Sequence, residues 1–264
     1  MNDHYTRRSF VSTASSAAVA LGTAAASNAR AANLADKTLA IPLKKAVKIG
    51  MVREGKTLTE KFRLLKDLGY DGVELNSPSR LKRDDVLKAQ DATGLPVHGV
   101  VDSVHWRQTL SHPDAKVRAA GVKGLMTALN DAKAYGATSV LLVPAVVNKQ
   151  VSYKEAYVRS QAEIRKALPL AEKLGINILF ENVWNNFLLS PVEMARYIDE
   201  FESKRVGAYF DVGNVVRYGW PEHWIAALGK RIGKLDIKEY SRKLQHTKGP
   251  RAGFRVKIGE GDCD

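Results

Sequence analysis

The sequence predicts a parallel α/β fold made of repeated strand–helix units, and three observations predict it. Short apolar runs recur without strict alternation of polar and apolar residues, the pattern of strands buried on both faces. Stretches with helical spacing lie between them. Helical stretches end in glycine directly before the next apolar run, at Leu68-Gly69, Thr93-Gly94, Tyr135-Gly136 and Leu174-Gly175. Glycine is favoured there because it takes the left-handed conformation without a Cβ clash. Such regular alternation gives either a doubly wound sheet or a (βα)8 barrel.

The elements follow in order. A strand over 46–52 leads to a helix over 57–68, whose start is marked by the capping box Thr57-x-x-Glu60. A strand over 71–76 carries Gly72-Val73-Glu74-Leu75, and a helix over 83–93 follows. Strands over 96–102, 138–144 and 176–181 alternate with helices over 114–135 and 153–174. Ser190-Pro191-x-Glu193 combines a cap, a first-turn proline and an N-terminal acid, and starts a helix over 191–201. Strands over 206–211 and 232–238 flank a helix over 221–228. A basic, glycine-containing loop over 240–257 and the run Ile258-Gly259-Glu260-Gly261-Asp262-Cys263-Asp264 complete the chain. That is seven strands, where a closed barrel has eight.

Composition agrees with a folded globule: 264 residues, 45% hydrophobic and 26% charged. No linker rich in Gly, Pro or Ser divides the chain. The single cysteine, Cys263, excludes an intrachain disulfide and a cysteine-based zinc finger. No apolar run approaches the ~20 residues needed to span a bilayer. The formal charge of +13 comes from 41 Lys+Arg against 28 Asp+Glu. The surplus permits nucleic acid or anionic partners without requiring them. It is spread through the helices and the 242–257 loop, so it reads as a solvated surface.

Residues 1–31 resemble a twin-arginine export signal. Thr6-Arg7-Arg8-Ser9-Phe10-Val11 sets paired arginines before an Ala-rich stretch over 11–26, and Ala29-Arg30-Ala31 fits a small-x-small cleavage site. The expected organisation is a signal over 1–31 and one domain over 32–264, with a periplasmic location and no membrane contact after the signal is removed. This route carries folded proteins, so a metal can be loaded before export.

In parallel α/β folds the site lies at the carboxyl ends of the strands. Strand two ends with Glu74 and Asn76; strand three carries His98 and leads to Asp102, His105 and Trp106. Strand five ends in Phe180-Glu181-Asn182-Val183-Trp184, strand six in Phe210-Asp211-Val212-Gly213-Asn214, and strand seven in Leu235-Asp236-Ile237-Lys238-Glu239. Three carboxylates after consecutive apolar runs either hold a cation or cap the helices that follow. As a cation site, this oxygen-donor set suits Mg²⁺ or Mn²⁺ better than zinc or copper.

These strand ends, with Gly72-Val73-Glu74-Leu75 and Gly259-Glu260-Gly261-Asp262, resemble the xylose-isomerase-like TIM barrels, a family of sugar isomerases and epimerases. The resemblance covers 46–264. It implies a (βα)8 TIM barrel whose eighth βα unit is missing from this chain, and a divalent metal held by residues from strands five to eight. Glu181 matches the glutamate that is both ligand and catalytic base, and Asp211 matches the strand-six ligand. Asp236 stands where epimerases of this family usually have histidine. Arg242 matches an arginine that contacts substrate oxygens. Asn214 stands where several relatives carry a substrate-binding histidine. The strand-eight glutamate has no counterpart, and the chain is expected to continue for about thirty residues, enough for one more strand–helix unit.

The implied chemistry is ketose–aldose isomerisation or 3-epimerisation of a sugar or sugar phosphate. Both remove a proton next to a carbonyl, and a metal stabilises the enediolate. Glu74 and Lys238 join the candidate substrate contacts. Trp106 and Trp184 are either walls against sugar carbons or barrel-top packing. His98 reads as a core histidine; His105, at the start of a loop, reads equally as a substrate contact. The partner is a small sugar, and a homo-oligomer is compatible with the pattern.

Three other functions each fit part of the sequence. Gly50-Met51-Val52-Arg53-Glu54-Gly55-Lys56-Thr57 satisfies the P-loop pattern. It is discounted because Met51 continues the Val47, Ile49 alternation as strand and Thr57 and Glu60 serve as a cap. An endonuclease-like barrel would carry a histidine-rich zinc site, where this chain offers only His98 and His105 near a strand end, so no nucleic acid partner is expected. A non-catalytic sugar-binding barrel is the remaining alternative.

Overall fold

The structure is a computed structural model and describes residues 43–263. The expected export signal over 1–31 lies outside the described residues. Seven strands form one parallel sheet: β1 (Ala46–Lys48), β2 (Gly72–Ser77), β3 (Val97–Asp102), β4 (Ser139–Leu142), β5 (Asn177–Glu181), β6 (Val206–Asp211) and β7 (Ile232–Asp236). Their order in the sheet is their order in the chain, with every neighbouring pair parallel. Among the described residues this is an open TIM-type barrel lacking its eighth strand, with β1 and β7 at its edges.

The helices are α1 (Leu58–Asp67), α2 (Arg83–Thr93), α3 (Ala115–Ala134), α4 (Tyr153–Arg165), α5 (Leu168–Leu174), α6 (Pro191–Asp199), α7 (Val212–Val216), α8 (Pro221–Leu228) and α9 (Arg242–Lys248). Both reciprocal bonds of the Thr57/Glu60 capping box are present. Ser190 caps α6 by accepting from the Glu193 amide. Gly94 and Gly175 end their helices with φ of 64° and 74°.

Three elements depart from the sequence reading. The single helix expected over 153–174 is two, because Pro169 has no amide to give and its ring clashes with the preceding turn; Pro169 instead occupies the first turn of α5. The first strand stops at Lys48, and Ile49–Met51 turn as a 3-10 helix that leaves Met51 71% exposed. Met51 therefore does not extend the strand, whereas the Thr57/Glu60 cap stands. The basic loop after β7 contains α9, capped by Ser241. Leu244 is its one apolar residue, so it shows no amphipathic pattern.

The main core lies between sheet and helices. Phe62, Val86, Leu125, Leu129, Phe180 and Phe210 are fully buried there, each worth roughly 1.5–3 kcal/mol in burial. The barrel interior is different. Cα register pairs Lys48 with Glu74, Glu74 with Gly99, and Val101 with Leu141. It continues through Leu141–Leu179, Glu181–Tyr209, Tyr209–Lys234 and Asp211–Asp236. Paired residues share a face, and residues two apart on one strand share it too. The inner face thus has an apolar side, Val101, Leu141, Leu179 and Tyr209, and a charged side on β1, β2 and β7. Gly207 and Gly233 leave room for Leu179: a Cβ on either would lie 3.0 Å or less from its side chain.

Candidate metal centre at the carboxyl ends of the strands

Asp211 and Asp236 are register partners at the last residues of β6 and β7, so their side chains leave the sheet on the same face. Glu181 ends β5 and is paired with Tyr209, two residues before Asp211. The consequence is convergence: one carboxylate oxygen from each of Glu181, Asp211 and Asp236 lies within 4.8 Å of the others. Glu181 and Asp211 are buried, and Asp236 is partly so.

Asp211 is fixed most tightly. The Asn182 side chain brackets its backbone, donating from Nδ2 to the Asp211 carbonyl and accepting from the Asp211 amide at Oδ1, both at 2.8 Å. Asp211 Oδ1 accepts from the Asn214 amide at 2.9 Å, capping α7. Asn214 Nδ2 returns to the Asn182 carbonyl at 2.9 Å. Asp211 therefore caps a helix with one oxygen, as one of the two readings expected, and turns the other toward the cluster.

Two ammonium groups face the carboxylates. Lys238 Nζ bonds Asp211 Oδ2 and lies 3.5 Å from Glu181 Oε1 and 3.6 Å from Asp236 Oδ2. Lys48 Nζ, from β1, reaches Asp236 Oδ2 at 2.6 Å. Burial pushes Glu181 up to about 8 against the pull of both lysines, with the charges of Asp211 and Asp236 adding to the rise. Burial also raises Asp211. Asp236 is burdened by burial too, but Lys238 and Lys48 outweigh it and hold this carboxyl below its ordinary value.

A hard divalent cation fits this donor set: three carboxylate oxygens from rigid strand ends, close enough to share one ion. Glu181, Asp211 and Asp236 would hold it. The remaining candidates lie around them. Glu74 is one layer deeper, 2% exposed, and neither of its carboxylate oxygens has a hydrogen-bond partner; burial pushes it up to about 7. His98 faces Lys234, whose Nζ lies 2.9 Å from His98 Nδ1, and burial lowers it to about 3. His98 is thus half-buried and engaged with Lys234, and is not one of the three clustered carboxylate residues. His105 is buried and accepts from the Val143 amide at Nδ1, 3.2 Å, and burial lowers it to about 4.

Trp106 is 51% exposed and edges His105 at 5.7 Å. Trp184 donates from Nε1 to the Asn214 carbonyl at 2.9 Å and packs on Tyr240 and Phe254, with Arg217 over its ring at 4.6 Å. The Arg242 guanidinium holds the Val216 and Gly219 carbonyls at 3.1 and 2.8 Å and lies over Trp220. In this arrangement it ties α9 to the end of α7.

The sequence reading did not single out Lys48, Lys234 or the bracketing role of Asn182. A partial signal was present in β7, where Lys234 and Asp236 are two apart and so share one face, with Lys238 two residues past the strand end.

A family sequence model described as "Xylose isomerase-like TIM barrel" matches residues 62–264. L-ribulose-5-phosphate 3-epimerase UlaE of Salmonella paratyphi B is 24% identical over 239 residues, covering 84% of this chain and 81% of that protein. Its counterpart in Salmonella typhi matches to the same extent, 24% over 239 residues. Among solved structures, a D-tagatose 3-epimerase-like protein superposes with a TM-score of 0.70 at 18% identity, over 83% of this chain and 82% of that one. D-allulose 3-epimerase from Methylomonas sp. gives 0.69 at 18% identity, over 86% and 79%. The 3-keto-D-glucoside 4-epimerase YcjR from E. coli gives 0.66 at 18%, over 75% and 80%. At these identities the structural likeness is one of fold.

Proposed function

Because this chain belongs to the xylose-isomerase-like TIM-barrel family, we propose that it is a metal-dependent sugar or sugar-phosphate isomerase or epimerase. The observation that supports this most directly is the convergence of Glu181, Asp211 and Asp236 from three consecutive strand ends to within 4.8 Å. Curated relatives named as L-ribulose-5-phosphate 3-epimerase support the substrate class.

Glu181 is the base. It is buried at the end of β5, where a carboxylate held by rigid strand geometry can take the proton from a carbon next to a sugar carbonyl. Burial raises it to about 8 against the pull of Lys238 and Lys48, which makes the ionised carboxylate a stronger base near neutral pH. Asp211 and Asp236 would complete the ligand set. A divalent cation, Mn²⁺ or Mg²⁺ by the oxygen-only donor set, would stabilise negative charge developing on the substrate oxygens. The twin-arginine stretch over 1–31 supports a periplasmic site of action.

The test is proton exchange in deuterated water. Mn²⁺-loaded protein incubated with a panel of ketopentoses, ketohexoses and their phosphates should incorporate deuterium at the carbon next to the carbonyl, read by NMR. Glu181→Gln should slow this by about 10²–10⁴-fold. No exchange with any sugar of the panel, in protein that binds Mn²⁺, would point to the non-catalytic binding barrel instead.

A further inference from the structure

We propose that Lys238 is a resident counter-cation of the carboxylate cluster, one that holds the cluster together without metal and must leave when a divalent ion enters. The inference rests on the metal-site reading above and adds a specific competitor to it.

Geometry carries the argument. Three carboxylates within 4.8 Å repel one another, and in a buried site each charge needs a partner. Lys48 answers one of them, Asp236, from the far edge of the sheet. Lys238 answers the rest. Its Nζ contacts Asp211 Oδ2 and lies 3.5 and 3.6 Å from oxygens of Glu181 and Asp236, so it sits among the same oxygens a shared metal ion would use. Two cations cannot share that space, because like charges at such short separations repel strongly.

The seat of Lys238 is built, not incidental. Lys238 lies two residues beyond the end of β7, and its ammonium turns back onto the strand-end carboxylates. At its back the start of α7 approaches so closely that a Cβ on Gly213 would fall 2.8 Å from both Lys238 Cβ and the Lys238 carbonyl oxygen. On the other side Cys263 Sγ donates to that same carbonyl at 3.2 Å. Glu239 then clasps the returning segment, accepting from the amides of Gly259 at 2.8 Å and Cys263 at 3.1 Å. The backbone is thereby held from both sides, and the freedom left to Lys238 is that of its own methylene stem. The ammonium can swing clear while the carboxylates, fixed on strand ends, stay in place.

The experiment uses Mn²⁺ alone as probe, with the full chain. Calorimetric titration should show Lys238→Met binding Mn²⁺ about 10–100-fold more tightly than wild type, because no competitor has to be displaced. The metal-free Lys238→Met protein should melt lower than metal-free wild type, and Lys238→Arg should restore the melting temperature. Equal or weaker Mn²⁺ binding by Lys238→Met overturns the proposal and leaves the metal site standing. No Mn²⁺ binding by either protein overturns both. Crystal structures of the wild type with and without Mn²⁺ need no variant to fold. Nζ should lie among the carboxylates only in the metal-free form, and Nζ unmoved beside bound Mn²⁺ overturns the proposal.

Discussion

Lys48 on β1 and Asp236 on β7 are 188 residues apart in the chain, yet their Nζ and Oδ2 atoms meet at 2.6 Å. The pair joins the two edge strands of the open sheet at the mouth of the carboxylate cluster. Asp236 is held below its ordinary value of 3.8 because Lys238 and Lys48 outweigh the effect of burial. A carboxylate depressed in this way stabilises the fold above its unfolded value and loses that contribution as pH falls through the folded value. Lys48→Met should therefore cost about 1–3 kcal/mol at pH 7, discounted for partial exposure of both side chains. The deficit should shrink below about pH 4 as Asp236 takes up its proton. Urea midpoints measured across that range check it; equal midpoints at pH 7 would refute it.

Glu74 titrates the other way. Burial raises it from 4.5 to about 7, against the pull of Lys48 and Lys234. The unfolded chain gives up this proton at a lower pH than the native protein does. Stability from this residue is thus complete below about pH 4.5, falls as pH rises toward 7, and stays low beyond it. Glu74→Gln keeps the shape and removes the charge. It should be more stable than wild type by up to about 3 kcal/mol above pH 7, and no different at pH 4. Melting curves at the two pH values decide the matter.

Asn182 makes two bonds to the Asp211 backbone and supports Asn214 through its own carbonyl. Asn182→Ala leaves a buried amide and a buried carbonyl unpaired, at a cost of about 2–4 kcal/mol. It also frees the strand end that carries Asp211. Mn²⁺ affinity should fall by about 10–100-fold, the usual effect of losing support behind a ligand. Retained affinity in a folded variant would show that Asp211 needs no such support.

Gly207 stands where a Cβ would come 2.8 Å from the Arg231 carbonyl oxygen and 3.0 Å from Leu179. The first neighbour is backbone and cannot turn aside. Gly207→Ala should therefore destabilise by about 1–3 kcal/mol through overpacking. Pairing it with Leu179→Val should recover only the part due to the side chain, which a double-mutant cycle by chemical denaturation would measure.

Much of this was readable beforehand where local chemistry and global packing agree. The apolar runs of β2 to β6 are strands buried on both faces, while β1 and β7, at the edges, are partly exposed. Thr57 and Ser190 marked helix starts because their caps are local bonds. Glu181, Asp211 and Asp236 were readable as a set because strand ends share one side of a parallel barrel. The rest depended on contacts far apart in sequence. Lys48 looks like an ordinary edge lysine until β7 is placed opposite it. Asn182 reads as a neighbour of Glu181, while its side chain serves Asp211 on the next strand. Arg242 was read as a substrate contact from resemblance, and its guanidinium holds the carbonyls of Val216 and Gly219. Pro169 was visible in the sequence, and its effect on the helix around it is a general one.

Every strand in the sheet lies beside its predecessor in the chain, so pairing can advance in the order of synthesis, one helical crossover at a time. The carboxylate cluster keeps a different calendar. Its earliest member, Lys48, is made near the beginning of the described chain and meets its partner only when β7 has been laid down. A half-finished sheet can already bury Leu125 and Phe180, but it has no assembled mouth. The three carboxylates therefore come together only once β7 is in place, and among the described strands the seam between β1 and β7 is where fraying would be felt first.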